Sequence, residues 1–156
     1  MFKLIALTVL LALSGANAFW SACSDLPNAL APRTVESASC SPTLCTVTRG
    51  ETLIADAYMT FNQAHSRLDV SVTAYIFGIG VNLPQDPPHD NACNSLLNAA
   101  TGAHHGCPTT PGTEKIWRIN MLVPTTYPSF SNTRVRFQLL ENNAVIGCTD
   151  VQATLQ

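Results

Sequence analysis

Apolar residues in this chain recur at every second position, in run after run, and that period limits the class of fold open to it. Leu53, Ala55, Ala57, Met59 and Phe61 alternate with residues that include Asp56 and Thr60. Leu68, Val70, Val72, Ala74 and Ile76 alternate with Asp69, Ser71 and Thr73. Trp117, Ile119, Met121 and Val123 stand against Arg118 and Asn120, and Val135, Phe137 and Leu139 against Arg134, Arg136 and Gln138. Successive side chains of an extended strand point to opposite faces, so each run reads as a half-buried antiparallel strand. A last strand is expected over 145–155 and shorter ones over 33–39 and 45–48, with a helical turn or two within 92–101. Arg49-Gly50, Pro84, Pro87-Pro88, Pro108, Pro111-Gly112, Pro124 and Pro128 break the chain between runs. About seven or eight strands separated by such breakers predict an all-β sandwich of two antiparallel sheets.

At 156 residues the chain is one domain's worth. Its first residues carry Lys3, an apolar run over 4–13 and the small-x-small triplet Ala16-Asn17-Ala18. That pattern reads as a secretory leader cleaved before Phe19, and the run is shorter than the roughly 20 residues a spanning helix needs. The expected organisation is a leader over 1–18 and a single secreted domain over 19–156. The chain is 46% hydrophobic but only 12% charged, against about a quarter charged in an ordinary soluble domain. The leader takes up part of the excess, and an apolar interior must take up the rest. Eight Lys plus Arg against ten Asp plus Glu exclude a strongly basic nucleic-acid binder.

Secretion makes the six cysteines, Cys23, Cys40, Cys45, Cys93, Cys107 and Cys148, candidates for three disulfides. Six cysteines allow fifteen pairings, and spacing alone does not choose among them. The short Cys40/Cys45 separation suits a local clip, Cys93 and Cys107 bracket a loop, and Cys23 with Cys148 would join the two ends. No Cys-x-x-Cys pair is present to hold zinc.

Catalytic signals are absent. His65, His89, His104 and His105 belong to no Gly-x-Ser-x-Gly or His-Glu-x-x-His pattern. Asp86, His89 and Asp90 lie among prolines and read as a rigid loop before they read as a metal site. Asp56, Asp69, Asp150, Arg134 and Arg136 fall on polar strand faces and read as solvated. The expectation is no enzyme, no cofactor and no metal. Neither Trp20 nor Trp117 fits the Cys…Trp…Cys spacing of an adhesion-type immunoglobulin domain. Ala55, Ala57 and Ala74 are small for inward positions. Either Trp117, Phe137 and Met59 fill the space they leave, or a cavity for an apolar guest remains.

Several motifs then occur in a fixed order: Cys23; Cys40-Ser-Pro-Thr-Leu-Cys45 followed by Thr-Val-Thr-Arg-Gly50; Gly78-Ile-Gly-Val-Asn-Leu-Pro84; Cys93; Cys107-Pro108; Val123-Pro124 leading to Tyr127-Pro128-Ser129; and Cys148. Together they resemble the ML (lipid-recognition) domain family, in particular its Niemann–Pick type C2-like secreted branch, over essentially all of 19–156. The resemblance implies an immunoglobulin-like β-sandwich whose sheets splay apart around a lipid, and disulfides Cys23–Cys148, Cys40–Cys45 and Cys93–Cys107. It places the family's tunnel-mouth aromatic on Leu83 and the Tyr of the opposite lip on Tyr127. Interior tunnel positions fall on Val47, Ala55, Ala57, Met59, Trp117, Ile119, Val135 and Phe137. Two departures flank the mouth. The Cys93–Cys107 segment is longer than in sterol-carrying vertebrate members, and the lip from Pro124 to Tyr127 is shorter. The longer segment, with Leu96 and Leu97, reads as a solvated insertion ahead of a lid.

The function implied is a secreted carrier of a small apolar lipid (fatty acid, sterol or related semiochemical) working without covalent chemistry. Its partners would be the lipid and a receptor or membrane acceptor protein, with no nucleic acid, and it would act as a monomer. The alternative is an innate-immune module that binds microbial glycolipid for a signalling receptor. At roughly 0.8 kcal/mol per buried methylene, a long acyl chain gains on the order of 12 kcal/mol gross, and ordering it costs several of these back. No Asn-x-Ser/Thr sequon occurs, so sorting by glycans is not expected and extracellular fluid is the favoured location.

Overall fold

A computed structural model describes residues 18–156 of the chain. The expected leader therefore lies outside the described residues except for Ala18. Ten strands form among the described residues: β1 (Trp20–Ala22), β2 (Thr34–Glu36), β3 (Cys45–Val47), β4 (Thr52–Thr60), β5 (Asp69–Ile76), β6 (Ile79–Asn82), β7 (Leu96–Asn98), β8 (Glu114–Leu122), β9 (Phe130–Glu141) and β10 (Ala144–Leu155). One sheet runs β1-β10-β9-β5-β6, with β3 also paired to β10, and the other runs β2-β4-β8-β7. All pairings are antiparallel except β3 with β10, which is parallel. The architecture is the expected two-layer all-β sandwich.

The period-two runs became the long strands, because burying one face of each satisfies its apolar positions while the ladder satisfies its backbone. Ala57, Met59 and Phe61 from one sheet and Leu68, Val72, Ala74 and Leu139 from the other are almost fully buried. Two tight hairpins set the register. Phe77-Gly78 joins β5 to β6 and Asn142-Asn143 joins β9 to β10, all four residues with positive φ, as two-residue turns between twisted strands require. Only Ala92–Ser95 of the expected helical stretch is helical, as one 3-10 turn. The next residues form β7, whose Leu96 pairs with Trp117 and is fully buried. Part of the Cys93–Cys107 segment thus widens the second sheet by a strand, while residues 100–105 are exposed.

The disulfides are Cys23–Cys148, Cys40–Cys45 and Cys93–Cys107, and no described cysteine is free. Cys23–Cys148 spans 125 residues, and closing a loop of that order contributes about 4–5 kcal/mol in the chain-entropy account.

The outer face of the larger sheet departs from the expectation of solvated charges. Arg136 and Asp150 stand directly opposite each other on β9 and β10, and both are buried. The Arg136 guanidinium donates to Asp150 at 2.8 and 2.9 Å and to Asp25 at 2.8 and 2.7 Å. The segment after β1, held by the Cys23–Cys148 bridge, carries Asp25 over this face and shields the pair from water. Arg134, on the same face, stays half exposed and lies over the Tyr75 ring at 3.9 Å. Asp56 and Asp69 are ion-paired as well, with Arg118 and Arg67.

Hydrogen bonds from Arg136, helped by one from its own backbone, hold the Asp25 carboxyl down to about 2, against an ordinary value of 3.8. A depressed carboxyl contributes stability above its unfolded value and loses it as pH falls through its folded value. Denaturation measured from pH 4 down to pH 2 is therefore expected to show falling stability, with a shallower fall in Asp25→Asn. Equal slopes in the two proteins would remove Asp25 from the acid response.

Candidate functional site

A cavity of about 70 Å³ lies between the sheets at one end of the sandwich. Leu53, Ala55 and Ala57 of β4 and Ile119 and Met121 of β8 form one wall. Val72, Val135, Phe137 and Val151 form much of the other, and Cys45 and Val47 of β3 close one side. Three hydroxyl-bearing residues reach the lining, and each has a backbone partner. Thr149 donates to the Ser21 carbonyl at 3.0 Å, Thr154 accepts from the Asn132 amide at 2.9 Å, and Tyr127 donates to the Pro84 carbonyl at 2.5 Å. The site therefore offers an apolar surface with no unpartnered hydroxyl and no ionisable side chain other than the Tyr127 phenol.

Eight of the ten residues singled out in the sequence come together here: Val47, Ala55, Ala57, Leu83, Ile119, Tyr127, Val135 and Phe137. Met59 and Trp117 share the inward parity but stand outside this lining. Trp117 packs edge-on to Phe137 with ring centroids 6.4 Å apart, and it directly opposes Ala57 in the ladder. Met59 packs against Gly147, where an added Cβ would lie 2.9 Å from its terminal methyl. These side chains fill the interior beyond the cavity, so both readings of the small alanines hold in different parts of one core. Ala74 belongs to the filled part and does not reach the lining.

Two segments meet where the family resemblance puts the two lips of a tunnel mouth. Leu83 continues from β6 with its amide bonded to the Val72 carbonyl, and it is buried. Tyr127 faces it from the β8–β9 connection, also buried, and its hydroxyl bridges to Pro84 beside Leu83. Burial, and then the charge of Asp86, push the Tyr127 phenol above its ordinary range. The hydroxyl is thus a donor at all physiological pH. Arg49 reaches the same lip and donates to the Tyr127 carbonyl at 3.4 Å.

Sequence reasoning did not single out Leu53, Val72, Val123 or Val151 for the site, although inward parity marks them. Phe19 and Phe130 lie outside any clear period, and no sequence signal announces their place in the lining. Besides Arg136 and Asp150, two further buried ionisable groups lie outside it. His65 donates from Nδ1 to the Glu141 carboxylate at 2.8 Å, while its Nε2 has no partner among the described residues. Lys115 is buried, and desolvation pulls its ammonium below the ordinary lysine range. Among the described residues no cluster of three or more His, Cys, Asp or Glu is placed to hold a metal ion, and Asp86, His89 and Asp90 are not gathered into one.

No curated protein matches the chain. Among solved structures it is similar to a Niemann-Pick type C2 protein from Japanese carpenter ant, at 14% identity and TM-score 0.66, over 82% of this chain and 93% of that one. It is also similar to chicken MD-1 in complex with lipid IVa, at 15% identity and TM-score 0.51, over 85% of each chain. At such identities the likeness is one of fold. The sequence profile of the ML domain matches residues 17–155, nearly the full length, and the chain belongs to the ML domain family.

Proposed function

We propose that the protein is a secreted carrier that holds a small apolar lipid between its two sheets and delivers it without covalent chemistry. The cavity wall carries this reading: it is apolar on both sheets, and every hydroxyl that reaches it is already hydrogen-bonded to backbone. Apolar surface with no chemical group to spare suits holding and releasing a hydrocarbon, not transforming it. Three disulfides fit an oxidising compartment outside the cell. The ligand contacts proposed are Val47, Ala55, Ala57, Leu83, Ile119, Tyr127, Val135 and Phe137, with Met59 and Trp117 backing the inner end.

A cavity of about 70 Å³ is smaller than the ~150 Å³ that holds benzene in an engineered protein core. Uptake of a longer lipid is therefore coupled to widening, through parting of the sheets and movement of unbranched side chains such as Met121. The Tyr127–Pro84 bond ties the lips against that motion. A neutral hydrogen bond contributes about 1 kcal/mol net, so Tyr127→Phe is expected to make uptake and release each about fivefold faster. Stopped-flow mixing with a fluorescent fatty acid reads both rates, and unchanged rates would take this bond out of the gate.

The reading itself is tested by extracting the secreted protein with organic solvent for mass spectrometry, alongside displacement of a fluorescent fatty acid. Copurifying lipid and displacement by fatty acids or sterols are expected. No lipid and no displacement would overturn the carrier, and binding of an anionic glycolipid to the exclusion of these ligands would replace transport with recognition.

A further inference from the structure

The described residues include six arginines and one lysine. Arg33, Arg67, Arg118, Arg134 and Arg136 are each ion-paired with a carboxylate. Lys115 is buried away from the cavity. Arg49 alone is exposed and has no carboxylate partner among the described residues.

Its position is specific. The β3–β10 ladder runs on past Val47: the Gln156 amide bonds the Val47 carbonyl at 3.0 Å, and the Arg49 amide bonds the Gln156 carbonyl at 2.8 Å. Cys45 and Val47 line the cavity, and Arg49 lies in the turn that follows β3, closed by the Glu51 amide on the Thr48 carbonyl at 3.1 Å, while the amide of the next residue, Gly50, bonds the carbonyl of the lining residue Val123 at 2.7 Å. There one guanidinium nitrogen reaches the Tyr127 carbonyl at 3.4 Å. Most of the five N–H donors of the planar fork remain for another acceptor, and a carboxylate matches that fork in bidentate fashion. The opposite lip carries the negative charge of Asp86, close enough to raise the Tyr127 phenol. An anionic head at this mouth is repelled from one lip and attracted to the other.

We infer that Arg49 anchors the headgroup of the ligand and that the ligand class is a long-chain carboxylate, its tail between the sheets and its carboxylate on the guanidinium. The inference rests on the carrier reading and narrows it, placing free fatty acids above sterols, alcohols and esters.

The test compares palmitic acid, methyl palmitate and cetyl alcohol as displacers of the neutral fluorophore N-phenylnaphthylamine, at about pH 8 where the acid is ionised. The wild-type protein is expected to prefer the acid by about tenfold, equivalent to about 1.4 kcal/mol, with the preference shrinking as salt rises. In Arg49→Gln the acid-to-ester ratio falls to near one. In Arg49→Lys part of the preference survives, because the charge remains while the fork is lost. Arg134→Gln, which alters an exposed arginine away from the lining, keeps the wild-type ratio. An Arg49→Gln ratio equal to that of the wild type, or no acid preference in the wild type, would overturn the anchor and leave the carrier standing. Failure of all three compounds to displace the fluorophore from the wild type would overturn the carrier and the anchor together. Should Arg49→Gln not fold, the salt dependence of the wild-type ratio and the Arg49→Lys ratio decide the matter alone.

Discussion

Arg136→Ala is expected to lower unfolding stability by about 3–5 kcal/mol, measured by urea denaturation at neutral pH. The substitution removes the guanidinium that neutralises Asp150, which is 7% exposed, and leaves that carboxylate buried without its bidentate partner. Arg134 approaches the same carboxylate only at 3.8 Å and is half exposed, so it replaces little of what is lost. Asp25 contrasts with Asp150, because its carboxylate faces solvent and can rehydrate when the arginine goes. Asp25→Asn should therefore cost much less than Arg136→Ala. The double variant Arg136→Leu/Asp150→Leu should recover most of the loss, since a buried pair replaced by packed apolar groups is often neutral. A cost below about 1 kcal/mol for Arg136→Ala would show the network to be no stronger than a surface ion pair.

Ala57→Trp is expected to weaken lipid binding by about a hundredfold or more. Ala57 is fully buried, lines the cavity wall, and lies opposite Trp117 in the β4–β8 ladder. An indole there takes the space of several ligand methylenes, each worth roughly 0.8 kcal/mol, and three or four of them account for that factor. Overpacking is expected to cost about 1–3 kcal/mol of stability, which a three-disulfide domain tolerates. Fluorescent fatty-acid displacement reads the affinity, and a cooperative thermal transition confirms the fold. Ala57→Val should fall between wild type and the tryptophan variant. Full affinity in Ala57→Trp would mean that the ligand does not enter between the sheets.

The long strands were legible because their period is repeated often enough to be unambiguous. The short strands β1, β6 and β7 were not, since three or four residues hold too few positions to define a period, and pairing with a longer neighbour is what makes them strands. Leu96 illustrates the point. Its segment reads as loop from composition, yet it becomes a strand with Leu96 buried because the β8 edge beside Trp117 offers a ladder. In the site, the family resemblance pointed to Ala55, Ala57, Ile119, Val135 and Phe137, all at inward parity, but it pointed equally to Met59 and Trp117, which share that parity. Whether an inward residue meets free space depends on what the facing sheet brings opposite it. Phe137 packs against Trp117 and Gly147 admits Met59, and neither match is written along one strand.

By itself the sequence determined the fold class through its period, the family through its ordered motifs, and the apolar character of the interior through its scarcity of charge. Arg134 and Arg136 mark where that reach ends. They share one strand and one face, and nothing local distinguishes them. Only the tertiary structure sets Asp25 over Arg136 and leaves Arg134 at the surface, because a segment more than 100 residues away in sequence is pinned there by the Cys23–Cys148 bridge. Likewise Arg49, a turn residue in the sequence, is brought to the carbonyl of the cavity-lining Tyr127 once β3 is laid beside the end of β10. Period is a local property of the chain, whereas burial and charge pairing depend on which distant segments the fold brings together.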